Sequence, residues 1–110
     1  MDYSQLSDQE INVQVARIIH PEREVIESKS RPPSACVIGH LPSKWLDYCN
    51  NPADAWPIIV ENKIGLTPPM HDENWEAMTF DKFGYVNKNE YNANPLRAAM
   101  IVFLLMKEKK

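Results

Sequence analysis

Glycine is scarce in this chain of 110 residues, which has only Gly39, Gly65 and Gly84. Three isolated glycines cannot form a glycine-rich phosphate loop, which argues against ATPase, kinase and dinucleotide-binding readings. Cysteine is scarcer still, with Cys36 and Cys49 alone. Free thiols are the simplest reading, because a disulfide needs an oxidising compartment and nothing in the sequence implies one. The opening Met1-Asp2-Tyr3-Ser4-Gln5 is polar and acidic, unlike a signal peptide, so a cytoplasmic protein is expected. Basic residues are in the minority, 12 against 15 acidic ones for a net charge of −3. That balance argues against a general nucleic-acid coat, although it leaves room for a local basic patch. No apolar run reaches the roughly 20 residues that span a bilayer. Repeats and low-complexity segments are missing too.

The composition that remains is ordinary, at 44% hydrophobic and 25% charged. One domain over residues 1–110, large enough for a real core, is expected. The first helix has the clearest start. Ser7 is placed to cap it and Glu10 stands three residues later, with Leu6 and Ile11 at the two positions of a hydrophobic staple. Ile11, Val15, Ile18 and Ile19 then form an apolar stripe, and His20-Pro21 ends the helix. Val25-Ile26 and Ala35-Cys36-Val37-Ile38 fit short strands, joined by a polar, proline-bearing connection from Glu27 to Pro33. The aromatic-rich run Trp45 to Cys49 fits another.

The central segment admits two helix registers. Asn51 with Pro52 is a good cap-plus-first-position pair, but Pro57 would then lie inside the helix, at a cost of roughly 3 kcal/mol. With Asp54 as the cap, Pro57 falls in the first turn, where an N–H has no intrahelical partner anyway. The second register is favoured, with a turn at 50–53 and a helix from 55 to about 62. Ile64-Gly65-Leu66-Thr67 and Trp75 to Phe80 read as strands joined by the loop Pro68 to Asn74. Asp81 to Ala93 reads as an irregular loop or a third short strand. Asn94 and Pro95 start a last helix whose residues Leu96 to Met106 are apolar except for Arg97. A helix apolar on nearly every side should lie between layers or under an oligomer interface. The fold expected is α+β: a small, mostly antiparallel sheet packed with two to three helices, the apolar C-terminal helix central.

Three blocks carry a family resemblance: Met1 to Asp8 with Glu10-Ile11-Asn12, then Asp47 to Ile59, then Asn94 to Leu104. On these residues the chain resembles the NinX-type proteins of lambdoid phages and prophages. It is more weakly similar to phage proteins described as α-β-α sandwiches. The blocks cover about half of the chain, and residues 21–46 and 81–93 match poorly. The resemblance implies a temperate-phage accessory protein made in the bacterial cytoplasm, and it brings no catalytic residues with it.

The residues themselves offer few sites. His20, Cys36, His40, Cys49, His71 and Asp72 are the available metal ligands, but they form no Cys-x-x-Cys or His-x-x-x-His pair. No metal and no cofactor are expected. Cys49 lies beside a helix start whose positive end would lower its pKa, although a small core residue is the plainer reading. Trp56 and Trp75 read as core, with base stacking as the alternative. The best site candidate is the turn of Asn50, Asn51 and Asp54 facing the helix start that bears Arg97. Two helix N-termini present unpaired N–H groups there. An internal Arg97–Asp54 pair is the plain reading; a bound phosphate or nucleotide is the sharper one.

Three functions follow. The first is a non-enzymatic accessory protein that binds a host or phage macromolecule, most simply a protein, with a homo-oligomer through the C-terminal helix as a further expectation. The second is a small-ligand binder that sequesters an anionic nucleotide signal to evade host defence. The third, an accessory role in recombination or replication, is weakened by the acidic balance.

Overall fold

The computed structural model describes residues 2–39 and 43–108. After a short 3-10 turn at Tyr3–Gln5, the elements run α1 (Asp8–Ile19), β1 (Val25–Glu27), β2 (Ala35–Val37), β3 (Lys44–Leu46), α2 (Pro52–Glu61), β4 (Gly65–Thr67), β5 (Trp75–Phe80), β6 (Val86–Asn92) and α3 (Pro95–Lys107). The α+β class is as expected, but the strands form two three-stranded antiparallel sheets, β1-β2-β3 and β4-β5-β6, instead of one. Among the described residues, no helix is long and apolar enough to cross a membrane.

The layers stack as sheet, helix, helix, sheet: α1 packs on β1, β2 and α3, and α3 packs on β4, β5 and β6. Sheets therefore lie outside and helices between them, the reverse of an α-β-α sandwich. With α2 also on α3, the last helix is covered by the chain itself on several sides. Every residue from Ala98 to Leu104 is buried, which explains its all-round apolarity.

α1 begins as expected: Ser7 Oγ accepts from the Glu10 N–H at 3.1 Å, and Glu10 Oε1 accepts from the Ser7 N–H at 2.9 Å. Its buried face is different. Ile11, Asn12, Val13, Val15 and Ala16 point inward, whereas Ile18 and Ile19 are exposed. Polar Asn12 can sit in the core because both ends of its amide are bonded, as described below.

Further expectations are corrected. The strand at Trp45–Cys49 stops at Leu46, because the Asn50 and Asn51 N–H groups both bond to the Asp47 carbonyl and turn the chain. α2 starts at Asn51, not Asp54: Asn51 Oδ1 accepts from the Ala53 N–H at 3.0 Å, and Pro57 lies within the helix. The carbonyl that loses its partner to Pro57 belongs to Ala53, and both residues are exposed, so water can satisfy it. The same register turns Ala55, Ile58 and Ile59 inward and leaves Trp56 58% exposed, so Trp56 is not core. Lys63 ends the helix at φ 55°, with the Ile64 N–H bonded to Ile59 O, a left-handed stop more often made by glycine. Of the two readings of residues 81–93, the strand holds, but it is not short: residues 86–92 form a seven-residue strand, the longest of the described ones.

Candidate functional site

The starts of α1, α2 and α3 meet at one polar junction. Asp8 is the first residue of α1, Asn51 caps α2 and Asn94 caps α3, its Oδ1 accepting from the Leu96 and Arg97 N–H groups at 3.0 and 3.3 Å. Arg97 reaches back across the chain. Its Nη1 pairs with Asp8 Oδ1 at 2.6 Å, and its Nη2 donates to the carbonyls of Ser4 and Leu6 at 3.1 and 2.7 Å. Asn50 Nδ2 donates to the other oxygen of Asp8 at 3.2 Å, and Asn94 Nδ2 donates to Asn50 Oδ1 at 3.2 Å and to the Cys49 carbonyl at 2.7 Å. Behind them, buried Asn12 donates to Asp47 Oδ1 at 2.8 Å and to the Pro33 carbonyl at 3.0 Å, and accepts the Cys49 N–H at 3.0 Å.

Of the four predicted site residues, Asn50 and Arg97 are thus brought together, with Asp8 between them. Asn51 acts as a helix cap, on the exposed side. The expected Arg97–Asp54 pair does not form. Asp54 Oδ2 instead accepts the Asp47 N–H at 3.0 Å, and Asp8 takes the guanidinium. Asp8, Asn12 and Asp47 were missed by the sequence reading. The Asp8–Arg97 partnership joins residues 89 positions apart, and only Asp8's place in a helix's first turn hints at a polar role.

The junction's chemistry is that of a clamp. The Arg97 side chain is 13% exposed, its Nη1 is paired with Asp8 and its Nη2 is bonded to two carbonyls, so it is poorly placed to hold a phosphate. Cys49 is fully buried, and burial pushes its thiol well above the usual range; Asp8 and Asp47 push the same way and Arg97 opposes them. The plainer reading of Cys49 as a small core residue holds, and desolvation outweighs the lowering that the helix start would bring. Among the described residues, no three His, Cys, Asp or Glu side chains converge as a metal site. His40, one of the available ligands, lies outside the described residues.

A different surface is open. Alternation and register place Thr67, Glu76, Met78, Phe80, Asn89 and Tyr91 on the face of the second sheet turned away from α3. An added Cβ at Gly65 would meet Met78 Cγ at 3.5 Å and Phe80 Cε2 at 3.7 Å, so these side chains share one face. Phe80 is 52% exposed and Tyr91 57%, and the adjoining turn exposes Phe83 and Tyr85. Asn89 Nδ2 donates to Glu76 Oε2 at 3.2 Å, and the Glu76 charge beside Tyr91 raises the phenol's pKa. At one end of this face, Tyr91, Glu76, Met70 and His71 border a groove of about 290 Å³.

A family model described as bacteriophage P22, NinX, matches residues 2–107. The chain belongs to the NinX family. The match runs through residues 21–46 and 81–93, so the first sheet and β6 lie within the NinX unit. No curated protein and no solved structure matches the chain.

Proposed function

We propose that this NinX-family chain is a non-enzymatic phage accessory protein that binds a host or phage protein through the open face of its second sheet. The observation that carries the reading is the exposed apolar side chains on and beside that face: Phe80 opposite Val86 at one end, Tyr91 at the other, and Phe83 and Tyr85 in the adjoining turn. Exposed apolar side chains gathered on one surface mark interaction sites, and aromatic side chains are favoured at their centres. The carboxylate of Glu76 on the face disfavours a phosphate backbone and supports a protein partner over nucleic acid. The nucleotide-sequestering reading draws less support, because Arg97 is held by Asp8.

The test compares the chain with a Phe80→Ser/Tyr91→Ser variant as bait in lysate of phage-infected cells, each sample with and without nuclease. A protein retained by the parent chain, kept after nuclease and lost with the variant is the expected result. Equal retention by both baits, or a complex that nuclease dissolves, overturns the proposal.

A further inference from the structure

β6 is an edge strand, paired with β5 on one side only. Among the described residues, its other side makes no backbone hydrogen bond to any loop or turn. A seven-residue edge about 20 Å long is a template for another strand unless something covers it. Its sequence, Val86-Asn87-Lys88-Asn89-Glu90-Tyr91-Asn92, says what fits. Laid antiparallel on itself with the two-fold axis at Asn89, it sets Lys88 opposite Glu90 of a second copy, and Glu90 opposite Lys88. Centring on Lys88 or on Glu90 instead puts like charges face to face, which destabilises a strand pair. An axis through a residue also pairs odd positions with odd and even with even, so the amides that face outward on one strand meet outward-facing amides on the other.

Both charged side chains are available for that arrangement. Among the described residues, neither Lys88 nor Glu90 has an ion-pair partner, although Lys88 lies within electrostatic reach of Glu108. Partial burial raises the Glu90 carboxyl's pKa, the nearby Asp2 raises it further and Arg97 opposes them, as for a carboxylate that lacks a close cation. We infer that two copies of this chain join through β6, giving a closed two-fold dimer with the strand order β4-β5-β6-β6-β5-β4. The pairing is register-specific and the interface is small, so association is concentration-dependent. It leaves the sheet faces uncovered and stands apart from the partner-binding proposal.

Sedimentation equilibrium of the full chain, from roughly 1 μM to roughly 1 mM, should show a monomer passing to a dimer. Glu90→Lys and Lys88→Glu should each weaken association by about tenfold or more, because symmetry turns two attractions into two repulsions. The double variant Lys88→Glu/Glu90→Lys should restore it to within about threefold, since opposite charges face each other again. Should a variant misfold, hydrogen exchange on the parent chain provides the second readout: amides within 86–92 should slow with rising concentration. A chain that stays monomeric throughout, a dimer indifferent to either single reversal, or a dimer whose β6 exchange does not change would each overturn the inference.

Discussion

Arg97 directs its donors at the N-terminal segment, holding Asp8 and the carbonyls of Ser4 and Leu6 against the start of α3. Arg97→Ala removes the guanidinium and leaves a half-buried carboxylate and two carbonyls to find other partners. A loss of about 2–4 kcal/mol in unfolding free energy is expected, read by urea titration. Arg97→Lys should recover only part, because a single ammonium cannot copy the planar fork. The two thiols should differ as well: iodoacetamide at pH 8 is expected to modify half-buried Cys36 in the folded chain and to spare buried Cys49. At this scale the sequence was partly legible. Arg97 in a first turn demanded a negative partner, and it has one. The choice of Asp8 over Asp54 rests on which carboxylate the fold delivers, and no local pattern encodes that.

Two helices share the same opening, Asn51-Pro52 and Asn94-Pro95, and both use it. In α2 the sequence reading set that signal aside because of Pro57, giving a local backbone cost more weight than the cap. The cap prevails because the proline falls on the exposed side of a helix whose Ala55, Ile58 and Ile59 are buried, so core packing outweighs one lost hydrogen bond. Pro57→Ala should therefore stabilise the protein. The restored bond and relieved crowding contribute up to about 3 kcal/mol, less up to about 1 kcal/mol for a looser unfolded chain. The expected net gain of about 1–2 kcal/mol would raise the melting temperature by several degrees. A fall would show that Pro57 makes contacts the helix needs. β6 was hard to read for a related reason. Four consecutive polar residues separate its apolar Val86 and Tyr91, so it shows no alternation, and pairing with β5 and packing of α3 supply its stability.

At the scale of the whole molecule, α3 joins the layers, with Phe103 among its fully buried side chains. Phe103→Ala is expected to cost about 3–5 kcal/mol, a large share of the roughly 5–15 kcal/mol that typically holds such a domain folded. Chemical denaturation would measure it; a loss below about 1 kcal/mol would mean that the site collapses to fill the cavity. The sequence by itself determined the family, the α+β class, the capping box of α1 and the central place of α3. These follow from side-chain chemistry acting within a few residues, or from an apolar run too uniform to face water. Tertiary structure alone decided that there are two sheets, that Asp8 and not Asp54 meets Arg97, that Trp56 faces outward and that Cys49's thiol is raised. Each of these depends on groups far apart in the chain arriving at one place, where burial and competition for hydrogen bonds choose among partners that local sequence leaves equivalent.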